Sequence, residues 1–216
     1  SDVIIGYTVY VDLVKEYFAE KEFMTTPMKK EVDRCVLAFE EAKKGKTVSM
    51  ICSGDAGVYG MAGLMYEVGE NYPDVELTII PGVTAATGGA AVLGAPLIHD
   101  FCLISLSDLL TPWEKIEARL LGASQADFVI CLYNPSSKKR HDYLQKACDL
   151  MMQYKSPETV CGTVCNIGRE GEEYQVMTLK ELRDTQVDMF TTVFIGNSQT
   201  KEINGKMVTP RGYRNV

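Results

Sequence analysis

Two loops poor in side chains are where this sequence could do chemistry. The first is Ser53-Gly54-Asp55-Ala56-Gly57-Val58-Tyr59-Gly60. The second is Pro81-Gly82-Val83-Thr84-Ala85-Ala86, running on through small residues to Gly94-Ala95-Pro96. Each follows an apolar, β-branched run that reads as a buried strand, and each leads into a helical segment. A loop of this kind at the carboxyl end of a parallel strand lets a ligand lie against backbone. Two in succession suggest one site built from neighbouring strand ends. Asp55 reads equally as a carboxylate for a hydroxyl-rich or cationic ligand and as a turn residue capping the next helix. Thr84 reads as a ligand contact or as a plain cap. Neither G-x-G-x-x-G nor a P-loop occurs, which argues against a dinucleotide or NTP site.

The other reactive side chains are sparse. His99 and His141 are the only histidines. His99 stands beside Asp100, and the pair reads as an acid/base candidate or as linker structure. Lys138-Lys139-Arg140, Arg169 and Arg211 are loop cations suited to substrate carboxylates or to solvent. No Ser-His-Asp triad or carboxylate pair stands out. Cys161 and Cys165 lack the partners of a zinc set, so no metal site is expected.

These residues need elements to position them. Val3–Ile5, 47–52 and 75–80 read as strands of one α/β unit, the last two feeding the two loops. Thr26-Pro27 reads as a helix start, with Met28, Val32, Cys35, Phe39 and Ala42 on its apolar face and Gly45 as its stop. Residues 58–70 and 84–93 read as the helices after the loops. The strand–helix alternation predicts a parallel sheet. A boundary near His99 divides a 1–99 domain from a 100–216 domain. The second half reads as strands at 101–106, 127–133, 160–164, 174–178 and 191–195. Helices are expected at 112–121, opened by a Thr111/Glu114 capping box, at 141–154 and at 179–182. Asn204-Gly205 between short apolar runs predicts a type I′ hairpin. The second sheet is therefore expected to be mixed.

Composition narrows the class. The chain has 216 residues, 46% hydrophobic and 24% charged, and a formal net charge of −7. That size holds a sizeable core, and the acidic balance argues against a nucleic-acid surface. Seven cysteines, an odd number in mostly apolar runs, fit reduced thiols in a cytoplasmic protein. No apolar stretch is long enough to span a bilayer.

With these residues in view, the sequence resembles the tetrapyrrole methylase family, enzymes of corrin and sirohaem biosynthesis that depend on S-adenosylmethionine. The two loops carry the family likeness. The likeness sharpens through Met28-Lys29-Lys30-Glu31-Val32-Asp33-Arg34, His99-Asp100-Phe101 and Ser105 to Trp113. Leu132-Tyr133-Asn134-Pro135, Gly168-Arg169-Glu170-Gly171-Glu172, Gly196-Asn197-Ser198-Gln199-Thr200 and Thr209-Pro210-Arg211-Gly212-Tyr213 extend it across the chain. These point to the subfamily that methylates C17 of precorrin-3B or cobalt-factor III. Methylation at another ring carbon is the alternative.

The resemblance implies two α/β domains with a cleft between them, as a homodimer. It implies that Ser53, Gly54, Asp55, Thr84, Ala85, Tyr133, Asn166, Ile167 and Thr191 hold S-adenosylmethionine, which leaves as S-adenosylhomocysteine. It implies that Lys138, Lys139, Arg140, Arg169 and Arg211 meet the substrate's carboxylates. It implies a ring contraction accompanying methylation, for which His99 and Asp100 are the proton-transfer candidates. Family members carry a strand and a Gly-Pro-Gly loop ahead of the stretch matching Ser1 to Tyr7. The sequence is therefore expected to be N-terminally truncated, and the alternative for it is a catalytically impaired tetrapyrrole-binding fragment.

Overall fold

The structure, a computed structural model, describes residues 1–137 and 141–214. The chain divides into two compact units, Ser1–Thr84 and Ala85–Val216. The division precedes the expected boundary at His99, because the helix after Thr84 packs onto the second unit's strands.

In the first unit the elements are β1 (Val3–Tyr7), α1 (Thr8–Val14), β2 (Glu22–Thr26), α2 (Glu31–Lys43), β3 (Val48–Ile51) and α3 (Ala62–Gly69). The strands form a wholly parallel sheet in the order β2-β1-β3. β1 lies in the middle, so Val3, Ile4 and Ile5 are buried on both faces, as their unbroken apolar run requires. Cys35, Ala38 and Phe39 of α2 and Met65 of α3 complete this core.

Three expectations change here. Thr26 does not open a helix. It ends β2, paired with Tyr7, and its hydroxyl accepts a hydrogen bond from Arg34 Nε at 2.8 Å. Lys29 stands at φ 67, so the helix begins only at Glu31 and Met28 and Val32 are exposed. The helix after the first loop starts at Ala62 rather than at residue 58, because Tyr59 holds φ 53 inside a tightly wound turn. Residues 75–80 are not a paired strand. They lie across a cavity of about 830 Å³ from residues 46–52, floored by Phe39, Met61 and Met65. Burial still alternates along them, as their apolar pattern predicts.

The second unit contains α4 (Ala85–Leu93), β4 (Gly94–Ala95), β5 (Phe101–Ser105), α5 (Trp113–Gln125), β6 (Val129–Tyr133) and α6 (Tyr143–Met151). They are followed by β7 (Val160–Cys165), β8 (Glu173–Thr178), α7 (Leu179–Arg183), β9 (Thr191–Ile195), β10 (Lys201–Ile203) and β11 (Lys206–Val208). The five-stranded sheet runs β5-β6-β9-β7-β8, with only β5 and β6 parallel neighbours. The mixed sheet is as expected. Asn204 and Gly205 both have positive φ and turn β10 into β11, the hairpin read from sequence. α5 differs in its start. Pro112 is its N-cap and makes no side-chain cap bond, so Thr111 closes no capping box. The box forms instead at α7, between Thr178 and Glu181. The small residues of α4 allow close packing on the sheet. A Cβ at Gly89 would stand 2.8 Å from Phe194 and 2.9 Å from Ile167. Among the described residues no helix is long and apolar enough to cross a membrane.

Candidate functional site

In the first unit the two sequence loops are joined. Asp55 accepts hydrogen bonds from the backbone N–H of Gly57 at 2.7 Å and, through its other oxygen, from that of Gly82 at 2.8 Å. A carboxylate accepting from backbone amides is a strong local fastener. The Gly82 amide first, then that of Gly57, holds the Asp55 carboxyl below the usual carboxylate range. A depressed value means the clip is present above the ordinary carboxylate pKa and lost as pH falls through the lower folded value. Gly82 has no room for a side chain, since a Cβ there would meet the Gly54 carbonyl oxygen at 2.2 Å. Ser53 and Gly54 are exposed beside this junction, and Thr84 is half-buried beyond it. The turn reading and the site reading of Asp55 therefore merge: it builds the loop pair that a ligand would touch.

In the second unit the register decides which expected residues share one end of the sheet. Cys165 pairs with Thr191, Leu132 pairs with Val193, and β5 and β6 run together to Ser105 and Tyr133. Tyr133, Asn166, Ile167 and Thr191 therefore lie at one sheet end. The Tyr133 hydroxyl accepts from the Ala86 N–H at 2.8 Å and so caps the first turn of α4. Asn166, at φ 53, donates from its side chain to the Gly171 carbonyl at 3.3 Å and folds back the loop carrying Arg169. Ile167 packs under α4 beside Gly89. The Thr191 hydroxyl is engaged by Asp188 at 2.8 Å. Tyr133→Phe removes one cap bond and should cost about 1 kcal/mol. A thermal melt reads it, and an unchanged midpoint would show that the bond contributes nothing.

His99 and Asp100 are not brought to that end. Asp100 immediately precedes β5, and its carbonyl accepts from Val129 N–H at 3.2 Å, at the start of β6. Five residues of strand at about 3.3 Å each separate them from Tyr133, roughly 16 Å along the sheet. Arg211 lies with them, donating to the Ile98 carbonyl at 3.1 Å. Arg169 is the one expected cation at the Tyr133 end among the described residues; Lys138, Lys139 and Arg140 lie outside the described residues. The amino end of β6 is closed by structural contacts. Lys155, buried, donates to the Phe128 and Gly196 carbonyls, each at 2.9 Å.

Residues 1–183 match the family model described as Tetrapyrrole (Corrin/Porphyrin) Methylases. The chain is 48% identical over 99% of its length to the "Probable cobalt-factor III C(17)-methyltransferase" of Salmonella typhimurium, covering 89% of that protein. It is 46% identical, again over 99% of its length, to the "Cobalt-factor III methyltransferase" of Priestia megaterium, of which it spans 41%. Among solved structures, that of the methyltransferase CobJ superposes with a TM-score of 0.88 at 33% identity, covering 97% of this chain and 89% of that one.

Proposed function

The chain belongs to the tetrapyrrole (corrin/porphyrin) methylase family, and from that membership we infer an S-adenosylmethionine-dependent C-methyltransferase of cobalamin biosynthesis that methylates C17 of cobalt-factor III. The likeness to the Salmonella protein over 99% of one chain and 89% of the other carries the choice of substrate. It favours the cobalt-bearing substrate over metal-free precorrin-3B.

The residues present suit the donor. Backbone at Gly54 and Gly82 is bare and closely apposed, the cradle that a ligand lying on main chain requires. S-adenosylmethionine supplies a methyl already activated on a sulfonium. The chain's part is then to bind and orient, which is where most of the rate would arise. In the first unit we assign Ser53, Gly54, Asp55 and Thr84 to the donor. In the second we assign Ala85, Tyr133, Asn166, Ile167 and Thr191. Asp55 and Tyr133 act by fixing the Gly82 and Ala86 amides rather than by offering idle side chains. Arg169 is assigned to a substrate carboxylate. We also propose a homodimer, which light scattering would read as twice 23.9 kDa.

The test is transfer of an isotope-labelled methyl to cobalt-factor III, with the position read by NMR. Label at C17 is expected. Label at another carbon supports the alternative ring methylase, and no transfer overturns the assignment. The strand register separates His99 from the Tyr133 end, so His99→Ala should retain methyl transfer. A His99→Ala enzyme that methylates without contracting the ring would support its assignment to the proton transfers of ring contraction, and one that does both normally would remove it.

A further inference from the structure

Ser105 opens the motif that ends at Trp113, and no residue of that motif is assigned to donor or substrate. It closes β5, in register with Tyr133 on β6. Side chains alternate along the strand. Ile104 and Leu106 pack with Leu132 on one face, whereas Leu103 packs with Tyr133 and Ile167 on the other. Ser105 therefore stands on the face of Tyr133 and Ile167, at the carboxyl end of β5. The chain around it is fastened. Leu106 N–H donates to the Tyr133 carbonyl at 2.9 Å, and the Tyr143 hydroxyl donates to Asp108 at 2.7 Å. Two donors converge on the half-buried Ser105 hydroxyl: the Ser107 N–H at 3.2 Å and Asn134 Nδ2 at 2.9 Å. Asn134 reaches it from φ 53, a left-handed backbone that asparagine tolerates. A hydroxyl has two acceptor lone pairs and one hydrogen. Both lone pairs are taken, so the oxygen can act further only as a donor, and the two bonds set the direction of its O–H. Among the described residues no acceptor receives that hydrogen.

We propose that the Ser105 hydroxyl orients the substrate by donating its hydrogen to a carboxylate arm of the tetrapyrrole, with Asn134 as the positioning residue that aims it. The proposal rests on the substrate reading given above. An oxygen with both lone pairs filled selects an acceptor, and a carboxylate accepts the strongest bonds. Arg169, assigned to another carboxylate, follows β7 at the same sheet end. In the order β5-β6-β9-β7 it stands three strand spacings from β5, about 14 Å. A ligand with a single carboxylate cannot meet both groups, whereas a macrocycle with several around its rim can.

The experiment compares Ser105→Ala, Ser105→Thr and Asn134→Gly with the wild type in three readouts: thermal midpoint, affinity for S-adenosylhomocysteine and affinity for cobalt-factor III. Ser105→Ala removes the hydrogen and should bind cobalt-factor III about tenfold or more weakly, the range of a lost hydrogen bond to a charged group. Ser105→Thr keeps the hydroxyl and should stay within about threefold of the wild type. Glycine suits the backbone of residue 134, so Asn134→Gly removes only the group that aims the hydroxyl. It should weaken cobalt-factor III binding by less than Ser105→Ala does. Asn134 is exposed and water can take its freed donor, so Ser105→Ala should melt within about 4 °C of the wild type. S-adenosylhomocysteine affinity should stay within about threefold in every variant. Unchanged cobalt-factor III affinity in Ser105→Ala overturns the proposal, and unchanged affinity in Asn134→Gly overturns the part given to Asn134. An equal loss for S-adenosylhomocysteine overturns it too, by making the hydroxyl a donor contact or, with a large fall in midpoint, a structural one. A wild type that binds no cobalt-factor III overturns the substrate reading and this proposal with it.

Discussion

Gly82→Ala should weaken donor binding by about tenfold to a hundredfold while leaving most of the protein folded. The added methyl would stand 2.2 Å from the Gly54 carbonyl oxygen, 3.2 Å from its carbon and 3.5 Å from the Asp55 Cα. All three are backbone atoms, so no flexible side chain can swing aside. The two loops must part, and the 2.8 Å bond from Gly82 N–H to Asp55 is then lost as well. Overpacking in tight sites costs about 1–3 kcal/mol. Expressed in ligand affinity, that is on the order of tenfold to a hundredfold. Titration calorimetry with S-adenosylhomocysteine reads the effect. Wild-type affinity in this variant would show that the apposition of the two loops does not matter to the donor.

Asp55→Asn carries the second large effect. Asparagine keeps the size of the side chain but has one acceptor oxygen. Its amide nitrogen would face one of the two backbone N–H groups that Asp55 now satisfies, donor against donor. Donor affinity should fall by about tenfold or more, because hydrogen bonds to a charged acceptor are the stronger kind. The pH response separates this clip from a general loss of folding. Wild-type donor binding should hold above the ordinary carboxylate pKa and fail as acid protonates Asp55, at a pH below that value because the folded pKa is depressed. In Asp55→Asn the binding should be weak and should lose this acid step. Hydrogen exchange adds a structural readout: the Gly82 amide should lose protection in the variant. A protected Gly82 amide with weakened donor binding would instead make Asp55 a direct ligand contact.

Much of the site could be read from the chain's own pattern. Ser53 to Gly60 and Pro81 to Ala86 were recognisable because bare residues after apolar runs are a local signal. The hairpin at Asn204-Gly205 was recognisable for the same reason, since both turn residues tolerate positive φ. Where local signals compete with pairing between distant segments, the pairing decides the structure. Thr26-Pro27 looks like a helix cap, yet Thr26 is more fully used by its ladder with Tyr7 and its bond from Arg34. Thr111 and Glu114 have the spacing of a capping box but form none, whereas Thr178 and Glu181 form one. Tyr59 was legible as part of a motif, while its backbone conformation was not. It follows from hydrogen bonds made by its neighbours at 55, 56, 58 and 62.

The sequence by itself determined the α/β class, the parallel first sheet, the mixed second sheet and the family, because periodicity, turn chemistry and motif spacing are properties of short stretches. The tertiary structure alone decided which groups each of these residues meets. Asp55 and Gly82 are 27 residues apart, and only folding makes one the acceptor for the other. Tyr133 reaches Ala86 across 47 residues. His99 and Asp100 fell away from Tyr133 because strand direction and register, set by pairing between distant segments, place them at the other end of the sheet. A role that depends on which groups meet is fixed by long-range contacts, and those are not written in any local stretch of the chain.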